Sequence, residues 1–272
     1  MNSLPLRVIS AVTALLLLGL TYYFFNLTGL IVFGFIFCFI GAIEFQKLAF
    51  AALNISNLVQ YWFLAVCLLL MLLILFSGVT TPSAWGVVIS TYFVGTLWLL
   101  RGQIDNQKLH SYLSLSALGF IYCALFPMYA LKLLQLPLGH FWFILLIAVV
   151  FFGDIFAFFG GSLFGKEKLM PNLSPSKTIA GAISGTIGSV LAGLFVGYFG
   201  LKAVPITYLI AISLAASVLA QNGDLFESLL KRIASVKDSG NIMPGHGGVL
   251  DRLDGVYFAA PLIYSAALAL SA

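Results

Sequence analysis

Residues 141–160 read FWFILLIAVVFFGDIFAFFG, a run of apolar side chains interrupted by a single charge, Asp154. Runs of this kind recur along the chain, and they decide what it can fold into. A helix needs roughly 20 apolar residues to cross the hydrocarbon core of a bilayer. In lipid every backbone N–H and C=O must be paired within the protein, so only helices or closed barrels can span. Barrel strands alternate apolar and polar residues in segments of about 10, a pattern missing here. The expected fold is therefore an all-α integral membrane protein, a polytopic helical bundle. Composition agrees: 61% of the 272 residues are hydrophobic and 8% charged, with a mean hydropathy of +1.09. A soluble domain carries about 25% charged residues.

Punctuating the apolar runs at polar clusters, Pro and Gly predicts nine spans, at about 7–25, 27–44, 58–76, 83–100, 112–134, 137–160, 178–200, 203–222 and 254–271. The first two are parted by little more than Asn26 and should form a tight helical hairpin. Leu20-Thr21-Tyr22 lacks the small residues of a signal cleavage site, so the first run is read as a retained span.

Charge placement orients the bundle. With the N-terminus in the cytoplasm, eleven of the thirteen basic residues fall on the inner side, and only Lys132 and Lys202 fall outside. That is the positive-inside asymmetry. The acids follow the same side, from Glu44 and Asp105 to Asp251 and Asp254. That rule does not require it, and it places the chemistry at the cytoplasmic face. A net charge of +4 in so apolar a chain is no nucleic-acid signal. Cys38, Cys67 and Cys123 all lie inside apolar runs, unpaired and unclustered, and read as small packing residues.

The polarity is uneven along the chain. Residues 1–110 have short connections and read as scaffold, or as a surface for lipid or a second subunit, which leaves a homodimer open. Residues 111–272 carry the polar clusters, chiefly in two inner loops, 161–177 and 223–253. With no repeat and no linker, 1–272 is expected to be one membrane domain.

Asp154 sits inside the sixth span, where a carboxylate costs about 2.5–3.5 kcal/mol even on lenient scales and so usually faces a polar interior. In SPSKT, Ser174 fits an N-cap and Pro175 the first helical position, which would start the seventh helix there. Lys177 and Thr178 in its first turn would then complete an anion site. Asp224, Glu227 and Ser228 share a helix face, and Glu227 with Lys231 is a favourable i, i+4 pair. That salt bridge and a catalytic role account for Glu227 equally well. Asp251 and Asp254 are also three apart, and Asp254 reads equally as the cap of the last helix. Hard oxygen ligands of this kind suit Mg²⁺, whereas scattered histidines do not suit zinc. His246, flanked by glycines that permit close approach, reads as a substrate contact. His110 and His140 read as structural.

Thirteen residues in one register carry a resemblance. Ser228, Lys231, Arg232, Lys237, Asp238, Pro244, Gly245, His246, Gly247, Gly248, Asp251, Arg252 and Asp254 resemble the signature of the CDP-diacylglycerol synthases, the phosphatidate cytidylyltransferases. Upstream, Asp154, Ala157, Phe158 and Gly161 are similar to a second family stretch, and Ser174, Pro175, Lys177, Thr178 and Gly181 to a third. The likeness covers about residues 150–256. It departs at Ser176, Ile179 and Ala180, where the family commonly has Lys, Trp and Glu.

The resemblance implies a magnesium-dependent enzyme of the bacterial inner membrane, with its site on the cytoplasmic face. CTP and phosphatidate would give CDP-diacylglycerol and diphosphate. Asp224 and Asp251 would hold Mg²⁺, with room for a second cation. Lys177, Lys231, Arg232, Lys237 and Arg252 would neutralise phosphates, and His246 would touch substrate. Backbone at Gly245, Gly247 and Gly248 would approach the phosphates. Ser174, Lys177 and Thr178 would line the substrate pocket, and Asp154 would serve as a further ligand or orient a lysine. The alternatives are a CTP-dependent lipid kinase, a cytidylyltransferase for another lipid phosphate, and an ion-coupled transporter.

Overall fold

The structure is a computed structural model, and it describes residues 3–76, 82–101, 104–242 and 247–271. Among the described residues nine α-helices follow one another: α1 (Ser3–Phe50), α2 (Asn57–Phe76), α3 (Pro82–Leu99), α4 (Asn106–Gly119), α5 (Phe126–Leu133), α6 (Gly139–Phe164), α7 (Ile179–Gly200), α8 (Ile206–Ile233) and α9 (Leu250–Ser271). A π-helical segment, Phe120–Leu125, joins α4 to α5, so Asn106–Leu133 is one continuous apolar rod. Among the described residues, seven helices are long and apolar enough to cross a membrane, and Ser83–Leu99 is a shorter apolar one. The protein is thus a helical membrane protein.

Asn26 breaks α1 with φ 53°, ψ −148°. A Cβ placed on Gly29 would lie 2.8 Å from the Thr21 carbonyl oxygen. Eight residues of straight helix would separate those positions by about 12 Å, so the chain doubles back at Asn26.

The secondary structure departs from expectation in three places. Lys168–Met170 (β1) pairs antiparallel with Ser174–Thr178 (β2), a small hairpin in a fold expected to be all-α. Ser174 is therefore a strand residue and not a helix cap. Pro175 fits because a proline is tolerated near the start of an edge strand. The cap belongs to Thr178, whose hydroxyl accepts the Gly181 N–H at 3.1 Å and opens α7. Second, α8 does not stop near residue 222. The amphipathic pattern from Asp224 to Lys231 carries it to Ile233, which removes the first eleven residues from the expected 223–253 loop. Third, α9 begins at Leu250, so Asp254 lies a turn inside the helix and does not cap it.

The chain packs as two compact units whose boundaries fall inside or at the ends of helices. The first comprises residues 1–128 and 233–250. Its core is aromatic: Phe45, Phe63, Tyr92, Tyr112, Phe120 and Tyr122 are buried. Burying tyrosines requires partners for their hydroxyls. Tyr112 donates to the Val59 carbonyl at 2.9 Å, and Tyr92 OH lies 2.7 Å from Ser116 Oγ.

The second unit comprises residues 129–232 and 251–272. Leu145, Leu146, Val149, Ala216, Ala259, Ala260 and Ile263 centre its apolar core. Small residues line the seam between α6 and α7, as expected where membrane helices pack through close backbone approach. A Cβ on Gly185 would fall 2.9 Å from the Gly153 carbonyl oxygen. Across the same seam Ser189 donates to the Val149 carbonyl at 2.7 Å. This tight pair fixes α6, and with it Asp154.

Candidate active site

The second unit gathers most of the charged residues singled out above. On α8, Asp224, Glu227 and Lys231 recur at i, i+3 and i+7 and so share one face. On α9, Asp251 and Asp254 do the same over one turn. Carboxylate oxygens of Asp224, Glu227 and Asp254 all lie within 4.8 Å of one another. Lys231 sits at one side of this cluster, its Nζ 2.8 Å from Glu227 Oε2 and 2.6 Å from Asp251 Oδ1. At the other side, Lys177 from β2 places its Nζ 2.5 Å from Asp224 Oδ2. Arg232 Nε donates to the Leu173 carbonyl at 3.4 Å, tying the end of α8 to the hairpin turn.

The three clustered acids differ in burial. Glu227 is 1% exposed and Asp254 8%, while the Asp224 side chain is 42% exposed. Glu227 Oε1 is buried and has no hydrogen-bond partner. An unpaired carboxylate oxygen away from water is costly unless something else neutralises it. Asp254 Oδ1 accepts only the adjacent Gly255 N–H among its described bonds, at 2.8 Å.

Three carboxylates converging on one point, one with a vacant lone-pair site, form the donor set of a hard divalent cation. Ligands on opposite sides of Mg²⁺ stand about 4.2 Å apart, given bonds of about 2.1 Å. The carboxylate oxygens, all within 4.8 Å of one another, are spaced on that scale. The residues present therefore fit such an ion.

A cavity of about 320 Å³ adjoins the cluster. Phe151, Asp154, Ile155, Phe158 and Phe159 of α6 and Asp251, Arg252 and Asp254 of α9 line it. The lining is of mixed character, four apolar side chains and four charged ones.

The structure therefore brings Asp154, Lys177, Asp224, Lys231, Asp251, Arg252 and Asp254 into one unit, with Arg232, Ser174 and Thr178 supporting the hairpin and α8. Asp251 holds Lys231, and Asp224 stands with Glu227 and Asp254. The i, i+3 spacing of 224–227 and 251–254 was the signal for the triad, two acid pairs each on one helix face. Lys237, Gly247 and Gly248 belong to the first unit, where Gly247 takes φ 83°. Gly245 and His246 lie outside the described residues.

The fold and this cluster define a helical membrane protein with a charged, largely buried site. Residues 5–270 match the model of the cytidylyltransferase family, and the chain belongs to that family. Curated relatives include the phosphatidate cytidylyltransferase of Brucella abortus biovar 1 (strain 9-941), 46% identical over 129 residues, 47% of each chain. That of Bacillus subtilis (strain 168) is 49% identical over 117 residues, 43% of each chain. That of Helicobacter pylori (strain ATCC 700392 / 26695) is 42% identical over 162 residues, 60% of this chain and 59% of the relative. The chain spans about half the length of the curated relatives it matches first.

Proposed function

We propose that this protein is a phosphatidate cytidylyltransferase: CTP and phosphatidate react to give CDP-diacylglycerol and diphosphate. The observation that carries this reading is the triad Asp224–Glu227–Asp254, with its orphaned Glu227 oxygen, beside a cavity lined by both apolar and charged side chains. Family membership and the names of the curated relatives support it.

The reaction suits these residues. A phosphate monoester has a second pKa near ~6, so the phosphatidate oxygen is mostly deprotonated at neutral pH. It attacks the α-phosphorus of CTP; the new P–O bond forms as the α–β bridge breaks, and diphosphate leaves with the electron pair. No general base is needed. The obstacle is the mutual repulsion of two polyanions and the charge that builds on the leaving group, so positioning and electrostatics dominate.

Asp224, Glu227 and Asp254 would hold Mg²⁺, which when bound offsets triphosphate charge. Asp251 orients Lys231, leaving its ammonium aimed between α8 and α9. Lys177 leaves Asp224 for a phosphate when nucleotide arrives, because a polyanion outcompetes a single partly exposed carboxylate. Arg252, whose planar guanidinium can grip two phosphate oxygens at once, faces the cavity. Phe151, Ile155, Phe158 and Phe159 receive the upper acyl chains of the lipid, which enters sideways from the bilayer. Asp154 borders that cavity, where it would serve as a further cation ligand or orient a lysine. With the N-terminus in the cytoplasm, the cluster opens to cytosolic CTP at the inner face of the bacterial membrane.

The test is incubation of the purified protein in mixed micelles with labelled CTP, phosphatidate and Mg²⁺. CDP-lipid and diphosphate should appear together, and neither should form in Asp224→Asn. Release of CDP with a phosphorylated lipid would replace this reading with a lipid kinase.

A further inference from the structure

Glu44 lies near the end of α1 and belongs to none of the motifs above, yet it is 3% exposed. A carboxylate so buried needs its oxygens paired. Its partners come from 195 to 206 residues along the chain. Glu44 Oε1 accepts the Val249 N–H at 3.1 Å. Oε2 accepts the Leu250 N–H at 2.8 Å and the Ser239 hydroxyl at 3.1 Å. All four residues lie in the first unit.

Leu250 opens α9, and the first N–H groups of a helix have no partner within it. Glu44 thus performs from a distant helix what an N-cap side chain does locally, and its charge complements the positive end of the α9 dipole. The approach is close. A Cβ on Gly240 would lie 2.8 Å from Glu44 Cδ, and one on Gly248 would lie 2.6 Å from Oε1. Both positions must lack a side chain for the carboxylate to reach the loop. One side chain therefore joins Ser239 to the Val249–Leu250 backbone.

We propose that Glu44 is a positioning residue for the transfer reaction. By holding the Val249 and Leu250 amides it fixes the point from which the chain continues directly into Asp251 and Arg252, and so their grip on the nucleotide phosphates. This rests on the cytidylyltransferase reading. Glu44→Gln keeps the shape but turns an NH₂ donor toward backbone donors, and Gly240→Ala crowds the carboxylate without altering any charge.

Both variants are compared with the full-length wild type in mixed micelles. The expected result is a rise of at least tenfold in KM for CTP, with KM for phosphatidate within threefold. Hydrogen exchange at the Val249 and Leu250 amides should accelerate in both. A role confined to folding would lower the active fraction and move neither KM. If the wild type makes no CDP-lipid, the functional reading fails, and exchange at 249–250 alone decides whether Glu44 holds the loop. Unchanged exchange, or an unchanged KM for CTP beside an active wild type, overturns the inference. Should Glu44→Gln not fold, Gly240→Ala supplies the same two readouts.

Discussion

Glu44 in the first unit and Glu227 in the second are nearly equally buried, at 3% and 1% exposed. Their surroundings could hardly differ more. Both oxygens of Glu44 are occupied, by two backbone N–H groups and a hydroxyl. Glu227 shares one oxygen with Lys231 and leaves the other unpartnered beside two further carboxylates. Burial alone does not distinguish a holding carboxylate from a ligand. The lone pairs left over do. A saturated glutamate has spent its capacity on architecture, whereas an unsaturated one among acids is set up to receive a cation.

That contrast can be broken by mutation. The largest effect is expected at the triad: Asp224→Asn and Asp254→Asn should each lower turnover by about 10³-fold, on the scale of losing a transition-state electrostatic group. Size-exclusion elution should be unchanged. Full activity in either variant would remove the cation assignment. Next, Lys231→Met should destabilise the protein by about 3–5 kcal/mol, because it removes the ammonium that the buried Glu227 carboxylate shares with Asp251. Thermal unfolding in detergent measures it, and an unshifted midpoint would show that the ammonium is not their counterion.

The sharpest comparison uses one substitution at both sites. Glu227→Gln should cost about 10²-fold in turnover without lowering the unfolding midpoint, since it removes a charge that the unliganded protein leaves partly unpaired. Glu44→Gln should lower the midpoint by loss of charge-assisted bonds worth about 1.5–3 kcal/mol. Adding Mg²⁺ should raise the midpoint of the wild type by ligand linkage and not that of Glu227→Gln. Equal responses in the two glutamine variants would erase the distinction. The smallest effect is a control: Asp105 caps α4 through the Gln107 N–H, so Asp105→Ala should cost about 1 kcal/mol and leave turnover intact.

The helical membrane character was readable in the chain because apolar run length is a local property, set by bilayer thickness; the count was not, since nine spans were expected and seven helices among the described residues are long and apolar enough to cross. Asn26 likewise announced a reversal as the one polar residue between two runs. The β1–β2 hairpin was not readable. Ser174-Pro175 satisfies the rules for a helix start, and only pairing with Lys168–Met170, with Thr178 taking the cap, overrides them. Asp254 looked like a cap because the start of α9 is set by Glu44, too far away in the chain for any local pattern to reveal. Glu227 was divided evenly between a salt bridge and a functional role; it makes the salt bridge with one oxygen and offers the other to the triad. Side chains whose meaning depends on partners from other helices are where reading by spacing runs out.

The triad is split between α8, which supplies Asp224 and Glu227, and α9, which supplies Asp254. During synthesis on the ribosome, α8 is inserted before α9 exists. A nascent chain that has only reached the 233–250 segment carries two of the three acids and neither Asp251 nor Arg252. On the proposed function, such a half-built polypeptide would lack part of the site that consumes nucleotide. Competence would then arrive only with α9, and a stall before that point would yield an inert chain instead of a leaky one.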